Sequence, residues 1–202
     1  MSVQMAPKHL LICLLTGTLT SCASGPYKFP AKGCSEKIDP AARSAACQIP
    51  DDALAGMSTG ELLDAVLKYP YFLTELLASP GIQQGFENLS SRFSGLRTFL
   101  EREDAAAELT KKYLSAGLKC PVSGENKPPA SSVFEFYYLE IMLAQKEIVS
   151  RLSDSQKNRL KDKIAKNRET KRTMKDCFGG GFNTEVMGLL EQAFNDKLEP
   201  TP

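Results

Sequence analysis

The chain has 202 residues, with 25 Lys and Arg, 24 Asp and Glu, a formal net charge of +1, no tryptophan and one histidine, His9. Because His9 falls in a segment that reads as a removable leader, the mature protein is expected to lack histidine altogether, which excludes Ser-His-Asp and Cys-His catalysis and His-containing zinc sites. About 180 remaining residues are enough for one domain with a real core.

Met1 to His9 carries Lys8 and no acid, and an apolar run from Leu10 to Leu19 follows it and ends in small residues. That is the build of an export signal. A bilayer-spanning helix needs about 20 apolar residues, and this run, interrupted by Thr16, Gly17 and Thr18, falls short of a permanent anchor. Leu19-Thr20-Ser21-Cys22 resembles the lipobox of bacterial lipoproteins. The resemblance implies cleavage before Cys22, a diacylglycerol thioether on its sulfur and, with Ala23 in the next position, sorting to the outer membrane. Ordinary cleavage after Ala23, with Ser21 and Ala23 as the small residues, is the alternative. The expected organisation is a signal peptide over 1–21, a flexible tether over 22–50, a helical domain over 51–198 and a disordered tail over 199–202.

The segment from Ala23 to Pro50 is rich in Ala, Ser, Pro, Gly and Lys and has no apolar periodicity, so it reads as a spacer. With Cys13 in the leader and Cys22 lipidated, Cys34, Cys47, Cys120 and Cys177 remain. Four cysteines allow three pairings. Proximity in sequence favours Cys34 with Cys47, leaving Cys120 with Cys177. The spacings are not CxxC, so neither a redox motif nor a metal site is expected.

Ser58 and Glu61 stand in capping-box spacing ahead of Leu62, Leu63, Val66, Leu67 and Tyr69, which predicts a helix that Pro70 ends. A short helix from Tyr71 to Ala78 follows and breaks at Ser79-Pro80-Gly81. Ile82, Phe86, Leu89, Phe93, Leu96 and Leu100 recur at four, three, four, three and four residues and predict one continuous helix. Gly85 and Gly95 within it point to close approach of a neighbour. A helix from Asp104 to Ala116 and a Pro- and Gly-rich loop from Lys119 to Ala130 come next. Ser132 and Glu135 again have capping-box spacing, and the helix they start is expected to run through Leu152 as the central one.

Ser153 to Lys175 differs in kind. Between Asp154 and Asp176 nine basic residues face four acids, and Leu160, Ile164, Ala165 and Met174 are the inward candidates. This predicts a long exposed helix, steadied by pairs such as Asp162 with Lys166. Gly179 to Gly181 then permits a reversal into a last helix containing Val186, Leu189, Leu190, Ala193 and Phe194. The fold class is all-α, a single bundle of about six or seven helices.

A second resemblance rests on Ile49-Pro50, Met57-Ser58-Thr59, Glu61-Leu62, Val66-Leu67, Tyr69-Pro70, Gln84-Gly85-Phe86, Phe93, Gly95-Leu96, Asp104-Ala105 and Tyr113. Over residues 49–117 these resemble a helical module near the start of many uncharacterised exported bacterial proteins, a module that implies no chemistry. Some of its relatives continue into an Asn-Cys-His run, which this chain does not have.

Three functional classes remain. The leading expectation is a non-enzymatic, lipid-anchored envelope protein with a protein partner, no cofactor, no metal and no nucleic acid. The second is a cell-wall glycan hydrolase working through Glu135 and Glu140, although five residues on one helix separate them by about 140 degrees. The third is a carrier of a small ligand or lipid. Lys157, Arg159, Lys161, Lys163, Lys166, Arg168, Lys171, Arg172 and Lys175 form the candidate surface for anionic lipid or an acidic partner; a solvated helix face is the simpler reading of the same residues.

Overall fold

The computed structural model describes residues 27–30, 34, 46–118 and 130–195. The expected lipidation site Cys22, the leader, Cys120 and the 199–202 tail lie outside the described residues. All regular structure among the described residues is helical: α1 (Asp51–Gly56), α2 (Thr59–Leu67), α3 (Phe72–Leu77), α4 (Ile82–Arg92), α5 (Ser94–Glu101), α6 (Ala105–Ser115), α7 (Ala130–Leu143), α8 (Lys146–Val149), α9 (Asp154–Thr173), α10 (Lys175–Phe178) and α11 (Gly181–Asn195). The all-α class holds, and the count of six or seven was too low because two expected helices are broken and two one- or two-turn helices, α1 and α10, carry no pattern of their own.

At both breaks a side-chain amide takes up backbone groups that the break frees. At Phe93, with φ −101° and ψ 108°, the helix is interrupted between α4 and α5. Gln48 satisfies the groups this frees: its Nε2 donates to Arg92 O at 3.0 Å, and its Oε1 accepts from Ser94 N at 2.8 Å. The apolar stripe survives the break, since Ile82, Phe86, Leu89, Phe93 and Leu96 are all buried. At Gln145, ψ is 138°, and the buried Gln145 amide donates to Ile141 O at 2.7 Å in place of a backbone N–H. The expected helix from Ser132 to Leu152 is therefore α7 and α8, and α7 begins at Ala130, two residues before the expected cap.

Ser58 and Glu61 form the expected reciprocal capping box at the start of α2, and Ser153 with Gln156 forms one that was not expected at the start of α9; each frees the helix of two unpaired N–H groups. Gly85 lets α4 lie directly on α3, since a Cβ there would stand 2.3 Å from Leu76 O. Gly180 takes φ +93°, a left-handed conformation natural to glycine, and turns the chain from α10 into α11.

The core is continuous through α2 to α11, and α7 packs against α2, α4, α6, α8 and α11. Phe136 through Leu143 of α7 are all buried. The stacked pair Phe72 and Tyr138, with centroids 4.0 Å apart, joins α3 to α7. Arg102 bridges the amino-terminal end, donating to Met57 O at 2.7 Å and Leu54 O at 2.8 Å beyond and within α1. Arg151 does the same for the end of α5, donating to Leu100 O and Arg102 O.

The spacer expectation requires correction for the described part of 22–50. Phe29 packs on Tyr69 and Phe93, Tyr27 packs on Phe29, and Cys34, Cys47 and Ile49 are buried in the main core. Cys34 and Cys47 are joined as expected, with Cα atoms 5.2 Å apart, and the Tyr71 hydroxyl donates to Cys34 O. These side chains, few and widely spaced, show no periodicity because each one fills a separate gap in a surface made by other helices.

Candidate functional site: a buried charge pair beneath a basic groove

Leu160, Ile164, Asn167 and Lys171 form the buried stripe of α9, at intervals of four, three and four. Lys171 is thus placed inward by helical geometry, and it meets Glu140 on α7. Lys171 Nζ lies 2.5 Å from Glu140 Oε2, with the two side chains 2% and 0% exposed. Tyr113 of α6 donates its hydroxyl to Glu140 Oε1 at 3.4 Å, and Asn167 Nδ2 donates to the Tyr113 oxygen at 3.0 Å. The ammonium also faces the Tyr137 ring at 4.7 Å and the Phe136 ring at 5.5 Å, where the ring quadrupoles favour a cation.

Burial dominates the electrostatics of this cluster. Loss of water pushes the Glu140 carboxyl upward, opposed by the Lys171 charge and by the hydrogen bonds from Lys171 and Tyr113. The same loss pushes the Lys171 ammonium downward, opposed by Glu140. Each partner's charge thus opposes the shift that burial imposes on the other. The hydroxyl of Tyr113 is also pushed up, chiefly by burial and then by the Glu140 charge.

The carboxylate pair considered for glycan chemistry is therefore not brought together. Glu140 is fully buried, whereas Glu135 is partly exposed about 1.4 turns away. Both oxygens of Glu140 are engaged inside the protein.

The basic stretch divides three ways, and Lys171 must be removed from the set of surface residues because it is buried. Lys163 donates to Ala116 O at 3.0 Å and so ties α9 to the end of α6; Arg159, exposed, lies over a cleft shared with Thr110 and Lys111 on that same side. On the other flank, Arg168 pairs with Glu191 of α11 at 2.6 Å, and Arg172 pairs with Glu169 at 3.4 Å. Lys157 is partly exposed, and Lys161, Lys166 and Lys175 are exposed. The expected Asp162–Lys166 pair is not among the ion pairs of the described residues, and Ala165, read as inward, is exposed.

Cys177 is disulfide-bonded; its expected partner, Cys120, lies outside the described residues. Among the described residues there is no cluster of three or more metal-ligating side chains, and no helix is long and apolar enough to cross a membrane.

Sequence reasoning missed Lys171 because it was counted with its charge rather than its position. The spacing Leu160, Ile164, Asn167, Lys171 was the available signal. Gln48 and Gln145 gave none, since an amide that replaces a backbone partner has no periodicity. The chain matches no protein-family model, no curated protein and no solved structure.

Proposed function

We propose that this is a lipid-anchored protein of the bacterial cell envelope, attached through Cys22, whose helical body acts by binding another protein rather than by catalysis. The anchor rests on Leu19-Thr20-Ser21-Cys22 at the end of an export signal. The observation that supports binding over catalysis is the complete burial of Glu140 against Lys171. The acidic group best insulated from water is occupied in holding three helices together, so it is not available to a substrate. What the body offers its surroundings is surface, most distinctively the exposed cations of α9.

Crosslinking in intact envelopes tests the partner reading. A defined adduct with another envelope protein, lost on extraction and dilution, is the expected outcome. A protein that stays monomeric and uncrosslinked at native abundance contradicts it.

A further inference from the structure

The end of α9, the single turn of α10 and the beginning of α11 border an open groove of about 780 Å³. Its space comes from glycine. Gly179, Gly180 and Gly188 line it, and a Cβ on Gly180 or Gly188 would meet no atom within 4 Å. Its floor holds Phe178 and Met187, 2% and 9% exposed.

Four cations line the groove, Arg168, Lys171, Arg172 and Lys175, against one acid, Glu191. Glu140 neutralises Lys171 from below and Glu191 pairs with Arg168. Among the acids whose side chains are described, Arg172 meets Glu169, with both side chains more than 60% exposed, and such a pair is weak in water; none of those acids pairs with Lys175. The positive character continues outward, because Lys157, Lys161, Arg168 and Arg172 fall on one flank of α9 at intervals of four, seven and four residues, a stripe about 22 Å long.

We propose that this groove binds the phosphodiester headgroup of an anionic phospholipid. Arg172 and Lys175 take the phosphate, for which the guanidinium fork is matched in geometry, and the apolar floor receives the glycerol and first methylenes. The outer stripe lies along the charged surface of the bilayer, where each cation adds to the attraction. This inference does not rest on the protein-partner reading.

The test uses the full chain carrying Cys22→Ser, so that no acyl anchor contributes. Partition is measured onto vesicles of phosphatidylcholine alone and of phosphatidylcholine mixed with phosphatidylglycerol; the leader, with Lys8 and no acid, is the same in parent and variants, so the loss of anionic preference on substitution reads the groove. A preference of about tenfold or more for the anionic vesicles is expected. Arg172→Glu with Lys175→Glu removes most of it, and so does Gly188→Leu, which fills the groove without changing charge. Lys166→Glu, on the opposite side of α9, leaves it in place. Circular dichroism confirms that each variant is folded, and the uncharged Gly188→Leu decides the matter if the double reversal is not. The proposal is overturned by equal binding to both vesicles, by equal loss in Lys166→Glu, or by an indifferent Gly188→Leu. Short-chain phosphatidylglycerol competes; inorganic phosphate or an acidic peptide competing as well as the lipid assigns the groove to another ligand and overturns the headgroup.

Discussion

Lys171 and Glu140 are each deprived of water by the same packing that brings them 2.5 Å apart, so neither is stable there without the other. Removing one partner of a buried pair leaves an uncompensated charge or an unmet hydrogen-bonding group and costs about 3–5 kcal/mol, whereas replacing both with apolar residues of similar size is often close to neutral. Lys171→Met and Glu140→Leu should therefore each be severely destabilising in urea unfolding, and the double variant should recover most of the loss. Additive losses would mean that the pair contributes nothing as a pair. The tyrosines give the pH dependence. Burial raises the hydroxyls of Tyr113 and Tyr137, and it raises Tyr138 from 10.0 to about 12. Each folded-state value lies above the unfolded one, so the contribution is fully present below pH 10 and is lost as pH rises through the folded value. Stability should be level up to about pH 10 and then fall by about 1.4 kcal/mol per pH unit for each tyrosine that ionises only on unfolding. Phenolate absorbance should appear together with loss of helix. Phenolate formation in a still-folded protein would show that these hydroxyls reach water.

At the scale of the helices, three glycines have opposite expected effects although all three lie in helices. Alanine at Gly85 would meet the backbone of Leu76 at 2.3–2.9 Å, which only a shift of α3 relieves, and overpacking of this kind typically costs about 1–3 kcal/mol. At Gly95 the obstacles are the ends of side chains, Phe93 Cζ at 2.6 Å and Ile49 Cδ1 at 2.8 Å, so the loss should be smaller. At Gly188 the space is open, and alanine should stabilise α11 by about 1 kcal/mol through helix propensity. Thermal melts of the three variants check this order, and a Gly85→Ala protein as stable as the parent would refute the close approach of α3 and α4. Sequence alone carried much of this level. The capping box of Ser58 and Glu61 was read from its spacing, that of Ser153 and Gln156 was missed although its spacing is the same, and the stripe from Ile82 to Leu96 survived the break within it. The breaks at Phe93 and Gln145 were not legible, because each depends on a side-chain amide, from Gln48 forty-five residues earlier or from Gln145 itself. Hydrophobic period records which face is buried, not whether the backbone is continuous.

For the molecule as a whole, the helical class was legible from periodicity, while the extent of the folded body was not. Tyr27, Phe29, Cys34, Cys47 and Ile49 come from a stretch with the composition of a spacer and yet pack on the core, the first two through edge-on ring contacts. The described body therefore begins closer to Cys22 than composition implied. The basic groove was only half legible: the charge run announced cations, but burial of Lys171 and the three-glycine opening come from how α9, α10 and α11 fold back together. The anchor proposed at Cys22 would decide where all of this operates. Intact-mass measurement of protein extracted from membranes, before and after reduction, tests it most directly. The account predicts a chain beginning at Cys22 with acyl chains attached, gaining four hydrogens on reduction as two disulfides open. A chain beginning after Ala23 with no acyl mass would contradict it.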